Sequence, residues 1–307
     1  VTDFITLGDV GAAPLTALID ASAAWKRARP HGPAPWLAGR HVAIVMEKAS
    51  TRTRVSFEVA VRELGGHATI LTSDGTQLGR GEPIEDTARV LSRFAHAIVF
   101  RTFGAERMMR MVGAASVPVV NALTDREHPC QIVADLLTIR ERRGALDGVK
   151  VAWIGDGNNM AVSWLHAAGA LGLELRLACP LGYRPPPHDV QNAQDQGATI
   201  TVTDDPRVAA AGADVVMTDV WASMGQEAEQ AQRRPGLRRL LRRRRAPGRR
   251  RARRDRAALP AGPPRRGDQR GGARRPARRG GVGPGREPLH TAKAILELAL
   301  TGACRGP

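Results

Sequence analysis

Short apolar runs alternate with longer helix-like stretches from residue 42 onward, and the alternation starts afresh near residue 149. No other feature of the chain constrains its fold as much. Residues 42–46, 68–71, 97–100 and 117–120 read as short buried strands. Residues 55–64, 85–94 and 130–142 read as helices, the first stopped by Gly65-Gly66. After the restart, 149–154, 173–178, 198–203 and 214–219 read as strands, and 160–171, 188–195 and 206–212 as helices. A last helix is expected over 291–300, with Ala294, Ile295, Leu298 and Ala299 placed to dock on the body. Alternation of this kind predicts parallel sheets covered by helices. The expected fold class is α/β, with two doubly wound parallel-sheet domains and the C-terminal helix packing back on the first. The expected boundaries are 1–140 together with 290–303 for the first domain, and 150–289 for the second.

A chain of 307 residues fits two such domains. It lacks a run of about 18 apolar residues and a basic flank leading into an apolar core, so neither a membrane span nor a signal peptide is expected. Cys130, Cys179 and Cys304 are far apart, with no metal-binding spacing, and fit reduced thiols in a cytoplasmic protein. The net charge of +16 suggests a nucleic-acid binder until it is mapped. Between Arg233 and Arg286 stand 22 arginines, two aspartates and no lysine or glutamate, a charge of +20 that leaves −4 for the rest. A mildly acidic body thus carries one very basic segment, and the two need separate explanations.

The polar stretch Ser50-Thr51-Arg52-Thr53-Arg54 follows one predicted strand and opens the next helix. Free backbone N–H groups and the helix dipole attract an anion there. Three hydroxyls and two guanidinium forks within five residues suit phosphate oxygens. The plainer alternative is an N-capped helix with surface arginines. In the second half, Gly155-x-Gly157 lacks the third glycine of a dinucleotide fingerprint, with Met160 in its place, so no nicotinamide cofactor is expected.

Ser50 to Arg54, followed by Ser56-Phe57-Glu58, resembles the signature of the aspartate and ornithine carbamoyltransferases. Gln77-Leu78-Gly79-Arg80, Phe100-Arg101-Thr102-Phe103 and His128-Pro129-Cys130-Gln131 resemble further segments of that family, in its order. Asp156-Gly157-Asn158-Asn159-Met160 and Asp219-Val220-Trp221-Ala222-Ser223-Met224-Gly225 are similar to its ornithine-type amino-acid site. The resemblance runs from about residue 40 to 229 and returns at Leu289. It implies attack of the ornithine side-chain amine on carbamoyl phosphate, giving citrulline and phosphate, within arginine biosynthesis. Ser50, Thr51, Arg52, Thr53 and Gln77 would then bind the phosphate, Gln77 reaching in from a neighbouring subunit of a homotrimer. Arg101 and His128 would face the carbamoyl oxygen as the catalytic pair, and Gln131 would hold the carbamoyl amide. Asn159, Asp219, Ser223 and Met224 would grip ornithine. No metal or cofactor is implied. A relative acting on another amine, such as putrescine, is the nearest alternative. Taken singly, His128, Arg101, Asn159 and Asp219 could equally be structural: a hydrogen bonder, a surface charge, a helix cap and a turn residue.

The resemblance breaks between about 230 and 288. The His-Cys-Leu-Pro motif of the family is missing, and Pro288 stands where an arginine is expected. Three readings compete. The first is a nucleic-acid-binding insert on an inactive enzyme body, which arginine density favours but the absence of lysine and aromatics does not. The second is a linker of disordered composition. The third is a shifted reading frame. Codons for Asp255 to Asp268, read one base later, permit Ile-Val-Leu-His-Cys-Leu-Pro-Ala-His-Arg-Gly-Glu-Val-Thr. Codons for Gly280 to Pro288, shifted likewise, permit Val-Val-Trp-Asp-Gln-Ala-Glu-Asn-Arg. Both restore missing family features at the right distances in one frame.

Overall fold

The computed structural model describes residues 2–29, 35–218 and 287–307. The first unit comprises α1 (Ala12–Ala28), β1 (His41–Met46), α2 (Thr51–Glu63), β2 (His67–Thr72), α3 (Ile84–Phe94), β3 (Ala97–Arg101), α4 (Ala105–Ala114), β4 (Val119–Leu123) and α5 (Pro129–Arg143). The second comprises β5 (Lys150–Ile154), α6 (Asn159–Leu171), β6 (Glu174–Ala178), α7 (Pro187–Asp195), β7 (Thr199–Thr203), α8 (Pro206–Ala210) and β8 (Val215–Met217). Helix α9 (Glu287–Thr301) follows.

Each unit holds a four-stranded parallel sheet, ordered β2-β1-β3-β4 in one and β7-β6-β5-β8 in the other. The chain builds outward from the first strand of each sheet, then returns to its other side. The direction of winding therefore reverses between β1 and β3, and again between β5 and β8. Loops at the carboxyl ends of strands part at such a switch point and leave a crevice. Ser50 to Arg54 and Arg101 occupy the first switch point, and Gly155 to Asn159 leave β5 at the second.

The expected strands and helices are present with shifted ends, and β8 is shorter than the expected 214–219, ending at Met217. Two helices escape the sequence pattern. α1 opens from Gly11, at φ 69, with no side-chain cap, and buries Leu15, Leu18, Ile19 and Trp25. α4 buries only Met108 and Met111.

One apolar core runs through both units, from Ile44 and Val99 through Leu136 and Leu137 of α5 to Trp164 and Leu175. Helix α9 packs on α1, α2 and α5, so the C-terminal helix does return to the first unit. Two buried polar groups fix its seating. Lys293, 2% exposed, places Nζ 2.8 Å from Glu63 and over the Trp25 ring. The Trp25 indole N–H donates to Glu297 across 3.1 Å. Burial alone would raise the Glu63 carboxyl, but the Arg29 and Lys293 hydrogen bonds and charges outweigh it and hold it below 4.5. Among the described residues no helix is long and apolar enough to cross a membrane.

Candidate active site

Strand β1 ends at Met46 and the chain turns into α2 with Ser50 as its extended N-cap residue. Ser50 Oγ donates to Thr53 Oγ1 across 3.0 Å. Arg101, the last residue of β3, donates from Nη1 to the same oxygen across 3.3 Å. With both lone pairs of Thr53 Oγ1 engaged, its own proton is left to donate toward an incoming anion. Thr51 and Arg52 lie on the exposed first turn, where the unbonded N–H groups of a helix start are found.

Arg101 is 1% exposed. Burial lowers its guanidinium to about 10, which still leaves it cationic at neutral pH. It sits close enough to His128 to act on it. Burial first, then the Arg101 charge, push His128 down to about 3. The imidazole is therefore neutral, and a neutral imidazole can donate one N–H to a carbonyl oxygen while its other nitrogen accepts. His128 Nδ1 is buried with no hydrogen-bond partner among the described residues.

Helix α5 starts with His128 as N-cap residue and Pro129 at its first turn. That places Cys130 and Gln131 beside the α2 turn. Arg52, Thr53, Ser56, Phe57, His128, Cys130 and Gln131 line one small cleft, closed by Pro288 and Ala292 of α9. Gln131 Nε2 donates to Asp135 across 2.9 Å, which fixes its amide. Cys130 Sγ points at the Asn121 carbonyl, 3.2 Å away, and burial pushes its thiol up to about 12, so it is no nucleophile. Cys179 and Cys304 are likewise free thiols raised to about 12 by burial.

The cleft thus gathers Arg52, Thr53, His128 and Gln131, with Ser50 and Arg101 bonded behind them. Gln77 is not among its lining residues; it stands exposed on a 3-10 turn, Gln77–Arg80. Asn159 opens α6 and donates from Nδ2 to the Thr124 carbonyl across 3.0 Å, tying the second unit to the first. Its neighbour Asn158 is the cap, accepting from Met160 and Ala161 N–H. Asp219, Ser223 and Met224 lie outside the described residues, as do the arginine-rich run and its three readings.

Sequence reasoning missed several supports. Glu47 accepts from Thr102 Oγ1 and forks with Arg107, bracing the loop after β3. Ser56 and Phe57 were quoted with the signature, but their place in the cleft wall was not assigned. Ala292 and Pro288 could not, because α9 reaches the cleft from the far end of the chain. A charged cluster also spans the two units. Arg126 pairs with Asp189, and His166 lies 3.1 Å from Glu127 and 3.5 Å from Asp189. By contrast, the wider surface hollow between α1 and the end of α5 holds two ion pairs within its lining, Lys26 with Glu141 and Arg140 with Asp20.

The model of the aspartate/ornithine carbamoyltransferase carbamoyl-phosphate-binding domain matches residues 2–141. That of the family's Asp/Orn-binding domain matches residues 147–240, ending inside the arginine-rich run. An ornithine carbamoyltransferase of Acidothermus cellulolyticus is 54% identical over 235 residues, covering 75% of this chain and 75% of that protein. One of Geobacter sulfurreducens is 54% identical over 198 residues, covering 64% and 65%. The solved ornithine carbamoyltransferase from Pyrococcus furiosus superposes with a TM-score of 0.82 at 35% identity, covering 99% of this chain and 98% of that one. With both domains matched in order and the α2 and α5 walls of the cleft inside the first match, the chain belongs to the aspartate/ornithine carbamoyltransferase family.

Proposed function

We propose that the cleft holds carbamoyl phosphate and presents it to the side-chain amine of ornithine, giving citrulline and phosphate. The observation that carries this reading is the hydrogen-bonded chain Arg101–Thr53–Ser50 beside a neutral His128 at a sheet switch point. Phosphate oxygens take the α2 N–H groups, Thr51, Arg52 and the Thr53 proton, which Ser50 frees by donating to Thr53 Oγ1. The carbamoyl oxygen faces Arg101 and His128, where negative charge grows as the tetrahedral centre forms. Gln131 holds the carbamoyl amide. No covalent intermediate is needed; holding both reactants in line supplies much of the rate. Arg101 suits the task because a buried cation is worth more to a developing oxyanion than an exposed one.

Asn159 and, later in the chain, Asp219, Ser223 and Met224 receive ornithine. Asp219 pairs with a substrate ammonium, and Asn159, Ser223 and the Met224 backbone take the amino-acid end. The enzyme works as a homotrimer in the cytoplasm, in arginine biosynthesis. An exposed Gln77 supports a role in a neighbouring subunit's cleft. The first domain comprises 1–140 with 290–303, and the second 150–289.

The stretch from about 230 to 288 is a frame-shifted version of the family's second domain. The family match ends at residue 240, inside the arginine run, and the likeness returns at Leu289, as two compensating shifts require. Fresh sequencing of the gene across codons 225–292 tests this. The literal chain is expected to bind carbamoyl phosphate but to turn over poorly, since a wall of its ornithine site is replaced. A citrulline assay on the literal chain and on a frame-corrected one tests the whole reading. Normal turnover by the literal chain refutes its expected impairment, and no turnover by the corrected chain refutes the function.

A further inference from the structure

Ser163 is wholly buried in α6, inside the second unit. Its hydroxyl accepts from the His128 backbone N–H across 2.8 Å and donates to the Asn159 carbonyl across 2.8 Å. His128 has no side-chain capping bond of its own, and its φ of −134 and ψ of 67 lie outside the helical region. The residue before a proline is already kept from helical geometry. The Ser163 bond then selects one orientation of the backbone that carries the imidazole. The helix that supplies this hydroxyl also begins with Asn159, whose amide holds the Thr124 carbonyl. The first two turns of α6 therefore grip the 124–128 segment at both ends.

We propose that Ser163 is a positioning residue for carbamoyl transfer, fixing His128 from the second domain so that its imidazole meets the carbamoyl oxygen. This rests on the carbamoyl reading of the cleft. Helix α6 links the two substrates' sites: Asn159 stands at one end of the connection and His128 at the other. Loss of the hydroxyl leaves the His128 N–H without its acceptor, whereas the Asn159 carbonyl keeps its helical N–H partner. The disturbance is thus directed at His128 and spares the phosphate-binding turn of α2.

The test uses the full chain and needs no turnover. Phosphonoacetamide, in which a methylene replaces the bridging oxygen of carbamoyl phosphate, carries both the phosphoryl and the carbonyl group. Inorganic phosphate carries only the first. By calorimetry, Ser163→Ala is expected to weaken phosphonoacetamide about tenfold while phosphate stays within about twofold. Ser163→Cys keeps the volume with a poorer acceptor and is expected to fall between; it also carries the test if the alanine variant does not fold. A purely structural role predicts a lower melting point with both ligands weakened alike, or neither, and either result overturns the proposal. If the parent chain binds phosphate but gains nothing from the carbonyl of phosphonoacetamide, the carbamoyl reading falls with it. Parent binding with unchanged discrimination in both variants overturns the role of Ser163 alone.

Discussion

Arg101 donates to Thr53 Oγ1 across 3.3 Å, joining the end of β3 to the first turn of α2. The contact holds a 1%-exposed guanidinium against the phosphate turn at a cost in desolvation. Arg101→Met removes the charge and keeps much of the length. It should raise the urea midpoint, by about 1 to 2 kcal/mol in stability. It should also weaken phosphonoacetamide by about 10- to 100-fold, the worth of a charged hydrogen bond. A variant that is less stable and binds as tightly would show that the guanidinium is structural.

The pairing of Glu63 with Lys293 predicts an asymmetry between its two ends. Glu63→Ala strands a 2%-exposed ammonium and should cost about 3 kcal/mol, read as a fall in melting temperature. Lys293→Met removes the buried charge, and Glu63 keeps Arg29 as a partner, 3.0 Å away. That variant should lose no more than about 1 kcal/mol. Equal losses at the two ends would contradict this account.

His166 predicts a pH dependence on the alkaline side. Burial opposes its charge, but Glu127 and Asp189 outweigh burial and raise it above 6.5. A histidine raised in the folded state contributes stability that is fully present below 6.5 and lost as pH rises through the raised value. The stability gap between the parent and His166→Gln should therefore close with rising pH in urea titrations. A gap that widens would reverse the sign. His128 and His290 work the other way. Held down to about 3 and about 4 by burial and neighbouring cations, they are neutral when folded. Their contribution is present above 6.5 and lost as pH falls toward those values.

Gly157 has no room for a side chain. A Cβ there would lie 2.2 Å from Pro185 N and 2.5 Å from the Arg184 carbonyl carbon. Gly157→Ala must displace the loop after β6, at a cost of about 1 to 3 kcal/mol. Hydrogen exchange should show the change in residues 180–186 and at the start of α6. Unaltered exchange in that loop would mean the backbone can accommodate the methyl elsewhere.

The sequence pattern revealed what depends on local periodicity and punctuation. Apolar runs marked β1, β3 and β5, and Gly172, at φ 62, closed α6 where expected. α1 was missed because its start carries no cap, although Leu15, Leu18 and Ile19 repeat at helical spacing. Thr53 and Arg101 were visible as motif members, yet only the fold shows that 48 positions of separation close into one bond. Ser163 was invisible. A serine between Val162 and Trp164 reads as core filler, and its partner His128 is 35 residues away. Glu47 reaches Arg107 across 60 residues, a distance over which no periodicity carries information.

Helix α9 gives the first unit a dependence on the order of synthesis. Ile295, Leu296 and Ala299 are wholly buried and complete a core begun nearly 300 residues earlier. A ribosome delivers the β1–α5 half first, but that half stays open along one side until the last helix emerges. A frame error between α5 and residue 287 that was left uncorrected would replace α9. The damage would then reach the domain translated before the error, well beyond the segment that carries it.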